Sequence, residues 1–189
     1  MAPERQAELV FVDTECTGLR PDDEIWEFAG LRRYADGSSS WLHILVEHDE
    51  MRAATGLPEP FRSQYLARRG SPQQRWSRRK AGIAIAEFLG GDAVMVGAVP
   101  TFDSLHLTRL LRHYGILAPH LYAVIDVEAL AAGYLAATGQ RVQIPLNGEQ
   151  LSRELGVDPS GYQRHTAVGD VQWVCALYDR IMAQTRVIS

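Results

Sequence analysis

Cysteine is almost missing from this chain: Cys16 and Cys175 are the only two among 189 residues. Two thiols cannot build a disulfide framework, and they lack metal-site spacing, so both are expected to be reduced bystanders. Lysine is scarcer still, with Lys80 alone against eighteen arginines. Long hydrophobic runs are also lacking. The most apolar stretch, residues 81–100, is interrupted by Glu87, Gly90, Gly91 and Asp92, which excludes a continuous membrane-spanning helix there. Residues 1–7 are polar and do not have the basic-then-apolar profile of a secretory leader. A cytoplasmic protein with no membrane partner is expected. No repeat period or low-complexity tract divides the chain, so residues 1–189 are expected to form a single domain, its motif-bearing core spanning about 8–183.

Excess charge of one sign is small, a net of −4, which at first argues against a nucleic-acid partner. Its distribution argues the other way. Residues 62–80 carry Arg62, Arg68, Arg69, Arg75, Arg78, Arg79 and Lys80 with no acid, and Phe61, Tyr65 and Trp76 are interleaved. Cations mixed with aromatics suit a groove that follows phosphates and stacks bases. A solvated, arginine-rich helical connector would have the same composition.

Residues 8–13 form a short apolar run that ends in carboxylates, the pattern of a buried strand whose tip reaches solvent. Residues 24–34 and 39–46 read as strands of a hairpin turning through Ala35-Asp-Gly-Ser38. Residues 93–97 and 122–126 read as further buried strands, each followed by a helix. Thr101 is expected to cap the first of these helices, with Leu107, Leu110, Leu111 and Tyr114 in the core. In the last helix, Ala167, Val171, Val174, Tyr178 and Ile181 fall on one stripe. A hairpin feeding strands that alternate with helices implies a mixed α/β sheet, whose active site collects beyond the strand ends.

Asp13 and Glu15 lie where that rule wants them. Residues two apart on a strand face the same side, so both can present oxygens to one cation while Thr14 turns away. Clustered carboxylates repel unless something positive sits between them, and an all-oxygen set favours Mg²⁺ or Mn²⁺ over zinc. Asp103, just inside one helix, and Asp170, on the first turns of the last, could aim at the same point. His165 precedes that helix, with Ala167 and Gly169 small enough for the turn to approach closely. An imidazole can take a proton from water at physiological pH. These parts fit phosphodiester hydrolysis with two metal ions holding the scissile phosphate.

The motifs Phe11-Val-Asp-Thr-Glu-Cys-Thr-Gly-Leu19, Phe102-Asp103 and His165-Thr-Ala-Val-Gly-Asp170 resemble those of the DEDDh branch of the 3′→5′ exonucleases. That group contains the polymerase III epsilon proofreading subunit, ribonuclease T and oligoribonuclease. The resemblance implies a ribonuclease-H-like, mixed five-stranded sheet with the second strand antiparallel and helices on both faces. It implies Asp13, Glu15, Asp103 and Asp170 as ligands of two Mg²⁺ or Mn²⁺ ions and His165 as general base. It implies that Cys16, Thr17, Gly18 and Leu19 seat the terminal nucleotide, with Phe102 near the penultimate one. The implied activity is release of nucleoside 5′-monophosphates from single-stranded or frayed 3′ ends, DNA favoured over RNA, in replication or repair. An RNA-trimming 3′→5′ exoribonuclease and a catalytically inactive nucleic-acid-binding or scaffold module of the same fold are the contrasting readings. Many members carry a His-Asn pair before the second motif where this chain has Ala98-Val99. Residues 1–189 are expected to leave no room for the epsilon subunit's extension toward a polymerase, while residues 184–189 loosely resemble a sliding-clamp-binding tail, so a polymerase or clamp is an implied partner only in that loose sense. Oligomeric state is not implied.

Overall fold

The structure, a computed structural model, describes residues 8–117 and 124–185. The N-terminal residues 1–7, the start of the fifth expected strand at 122–123 and most of the clamp-like tail lie outside them.

Five strands form one sheet in the order β3-β2-β1-β4-β5: β1 (Leu9–Cys16), β2 (Ile25–Arg33), β3 (Ser39–Leu45), β4 (Val94–Gly97) and β5 (Val124–Asp126). β2 is antiparallel to both its neighbours, whereas β1, β4 and β5 are mutually parallel. This is the arrangement expected from the motifs. The hairpin turn lies at residues 34–38, where Gly37 takes a φ of 86° and the Tyr34 N–H donates to the Ser38 carbonyl at 2.9 Å. A residue without Cβ adopts that left-handed backbone at little cost.

The sheet's alternation sorts its side chains between two layers. Val10, Val12, Phe28, Ile44 and Met95 pack against α3 (Arg78–Leu89) and α4 (Pro100–His113) through Ala81, Ile85, Leu107 and Leu110. Phe11, Ala29, Leu31 and Val96 pack on the other face against α5 (Val127–Ala137), α6 (Gly148–Glu154) and α7 (Ala167–Thr185). In α7 the expected stripe is present, and Trp173 and Leu177 are buried as well, so the helix is enclosed beyond one stripe. Two short helices between β3 and α3, α1 (Glu50–Gly56) and α2 (Phe61–Arg68), form a third cluster in which Tyr65 packs edge-on to Trp26 at 5.2 Å.

The expected cap of α4 is corrected. The helix begins at Pro100 and its N-cap is Val99, which has φ 54° and no side-chain cap bond; Thr101 is already inside the first turn. Proline's fixed φ and missing N–H suit the first helical position, which moves the boundary two residues earlier.

Candidate active site

Asp13 and Glu15 share the face of β1 that carries Phe11, and they stand where the strand leaves the core. One carboxylate oxygen from each of Asp13, Glu15 and Asp170 lies within 4.8 Å of the other two. Asp170 enters from the first turn of α7, which Thr166 caps by accepting the Gly169 N–H at 2.9 Å. Gly169 has to be small: a Cβ there would fall 2.0 Å from the Gln163 carbonyl oxygen.

Asp103 approaches from the opposite face of β1. Its Oδ1 accepts the Thr14 N–H at 2.9 Å and the Thr14 hydroxyl at 2.6 Å, with the carboxylate 3% exposed. Thr14 does turn away from Asp13 and Glu15, and in doing so it anchors the fourth acid. Asp103 is not part of the close trio, but its charge acts strongly on Asp13.

Burial and mutual repulsion both oppose ionisation of these groups. Burial, then the charges of Asp103, Asp170 and Glu15, hold the Asp13 carboxyl well above the ordinary range. Burial pushes Glu15 up to about 8 against the pull of Arg68, and raises Asp170 against that of Arg164. Asp103 is pushed up to about 7 by burial, although its Thr14 bonds work the other way. Buried acids forced together in this way are the condition that a hard divalent cation relieves, and an all-carboxylate donor set suits one.

His165 takes a φ of 61°. Its N–H donates to Asp170 Oδ2 at 2.9 Å, its carbonyl accepts from Arg68 Nη2 at 2.5 Å, and its exposed ring meets Phe61 edge-on at 5.3 Å. The histidine is therefore held at the rim of the acid cluster by its backbone. Arg68 in turn donates to the buried Glu27 at 3.0 Å, and Glu27 also bonds His43 at 2.9 Å. Glu27 lies directly across from Glu15 in the β1–β2 pairing.

A cleft of about 550 Å³ opens beside the cluster, lined in part by Glu15 to Arg20, Phe102, Trp26, Phe61, Tyr65 and Arg68. Cys16 and Thr17 are buried, whereas Leu19 is 89% exposed, so Leu19 is not a core residue. Phe102 is partly buried against His106, with 4.4 Å between ring centroids.

Most of the basic stretch has internal partners. Arg69 and Arg75 pair with Glu50, Arg78 with Glu24, Arg68 with Glu27, and Arg62 donates to the Leu57 carbonyl. Lys80 lies over the Trp76 ring at 3.7 Å, and Arg79 borders an open groove beside it. The structure thus divides the stretch, giving Arg68 to the site and Arg69, Arg75 and Arg78 to ion pairs with acids elsewhere in the chain. Sequence reading missed the particular roles of Arg68, Glu27 and Arg164. The available signals were an acid inside the apolar strand β2 and an arginine directly before His165.

No family model matches the chain, and no curated protein matches it. Solved structures do match in fold. A product-bound exonuclease I aligns with TM-score 0.69 and 16% identity over 96% of this chain and 45% of that one. Exonuclease I of E. coli in complex with a dT13 oligonucleotide gives 0.65 and 17%, over 96% and 42%. A moderately thermophilic exonuclease I from Methylocaldum szegediense gives 0.68 and 18%, over 95% and 41%. The chain spans less than half the length of these structures, and at such identity the likeness is one of fold.

Proposed function

We propose that this chain is a divalent-metal-dependent 3′→5′ exonuclease that removes nucleoside 5′-monophosphates from single-stranded or frayed DNA ends. The observation that carries this reading is the meeting of Asp13, Glu15 and Asp170 oxygens within 4.8 Å, beside a cleft of nucleotide-accommodating size. Fold neighbours described as exonuclease I, one holding a single-stranded oligonucleotide, favour DNA as the substrate.

In this reading Asp13, Glu15 and Asp170 hold one ion, and Asp13 with Asp103 serves a second. When bound, the ions supply positive charge at the scissile phosphate and make water more acidic. His165, fixed through its backbone by Asp170 and Arg68, takes the proton from the attacking water. Thr14 keeps Asp103 aimed from the far face of β1. The Cys16–Leu19 backbone seats the terminal nucleotide, and the exposed Leu19 side chain supplies an apolar surface for its base.

Digestion of end-labelled single-stranded DNA and RNA with Mg²⁺, Mn²⁺ or EDTA, using wild type and Asp13→Ala, tests the proposal. Stepwise loss from the 3′ end that EDTA and the substitution abolish is expected. Activity surviving EDTA, or starting at the 5′ end, would overturn it; faster RNA than DNA digestion would reassign the substrate.

A further inference from the structure

Arg164 is the one cation with a direct side-chain contact to the acid trio among the described residues: its Nη1 donates to Asp170 Oδ1. The guanidinium lies over the Trp173 ring at 3.6 Å, and Trp173 is fully buried, its Nε1 donating to Ser152 Oγ at 2.9 Å. Ser152 Oγ itself donates to the Val157 carbonyl at 2.6 Å. A flat cation stacked on an immobile indole has little freedom to swing aside. The Arg164 Nε is buried without a partner, which leaves the Nη1 bond to Asp170 as the guanidinium's one hydrogen bond to a side chain among the described residues.

Both oxygens of Asp170 are thereby engaged, Oδ1 by Arg164 and Oδ2 by the His165 N–H. A divalent ion that reaches Asp170 shares the carboxylate with a full positive charge that stays in place. Like charges on one ligand disfavour each other, and partial burial strengthens the effect.

From these contacts we infer that Arg164 is a resident counter-cation of the acid cluster, which holds Asp170 in place without metal and weakens divalent-ion binding there. Arg164 is a positioning residue whose charge sets how much metal the site demands. The inference rests on the reading of the cluster as a metal site.

Mn²⁺ titration of the full chain, followed by calorimetry and by the free-ion EPR signal, tests it without reference to turnover. Arg164→Met is expected to bind Mn²⁺ at least about tenfold more tightly than wild type and to melt at a lower temperature in EDTA. Arg164→Lys, which keeps the charge, should stay near wild-type affinity. If Arg164→Met does not fold without metal, Arg164→Gln, which keeps a donor but not the charge, is titrated instead, with the same tightening expected. Unchanged or weaker Mn²⁺ binding in the neutral variants overturns the inference and leaves Arg164 as an orienting group only. Wild type that binds no Mn²⁺ at all removes the metal-site reading itself.

Discussion

Removing the charge of Glu15 should stabilise the metal-free protein, and increasingly so as pH rises. The Glu15 carboxyl, 4.5 in its ordinary setting, is pushed up to about 8 in the folded chain, with burial the largest cause. Between those values the folded chain keeps a proton that the unfolded chain has released, so raising the pH favours unfolding. The stability linked to this proton is complete below pH 4.5 and is lost progressively until about pH 8. At about 1.36 kcal/mol per pH unit, the interval from pH 5 to pH 8 is worth up to about 4 kcal/mol. For a chain of this size that is a melting shift on the order of 10 °C. Glu15→Gln carries no titrating group at this position. In EDTA its melting temperature should lie near that of wild type at pH 5 and well above it at pH 8. His48 and His106, both pushed down by burial, gain stability as pH rises through 6.5, but they do so in both proteins and cancel in the comparison. Saturating Mn²⁺ should reverse the ranking at pH 8, since wild type then gains a counter-ion that the variant binds less well. A wild-type-to-variant difference that stays constant from pH 5 to pH 8 in EDTA would refute the reasoning.

Three further outcomes are expected. Val99→Asn should raise stability by about 1 kcal/mol in urea unfolding, because asparagine tolerates the φ of 54° that a β-branched residue resists; a lower midpoint would contradict this. Arg68→Gln should lower kcat by roughly tenfold or more with a smaller change in KM, since it loosens the His165 carbonyl, and an unaltered kcat would remove Arg68 from the mechanism. Thr14→Val, similar in volume, should cost about 1–3 kcal/mol by deleting the hydroxyl bond to a buried carboxylate, measurable by chemical denaturation.

Much of the site was legible because strand alternation and helix periodicity are local rules. Asp13 and Glu15 share a face as the period of two requires, and the stripe through Ala167, Val171 and Val174 pointed to how α7 docks. The antiparallel second strand of a five-stranded sheet was available only through the motif resemblance, and the order β3-β2-β1-β4-β5 came from the structure, since no local pattern encodes which strands become neighbours. α1 and α6 were missed because each buries little: Ala53 in the first, Leu151 and Ser152 in the second. The arginines of residues 62–80 could not be sorted, since their partners Glu24, Glu27 and Glu50 belong to other segments of the chain. Thr101 was chosen as a cap by residue preference, but Pro100 decided where the helix began.

The acid trio joins the first strand of the sheet to its last helix, and this has a consequence for biosynthesis. While the chain is being made, β1 can pair with β2 as soon as the hairpin has emerged, yet Asp13 and Glu15 then face an empty side of the sheet. Asp170 follows all five strands in the chain, so the cluster closes only after α7 docks on β1 and β2. An incomplete chain, stalled or cut before α7, would retain much of the sheet and no assembled site. The order of translation itself would leave the acid cluster unassembled until α7 has emerged and docked.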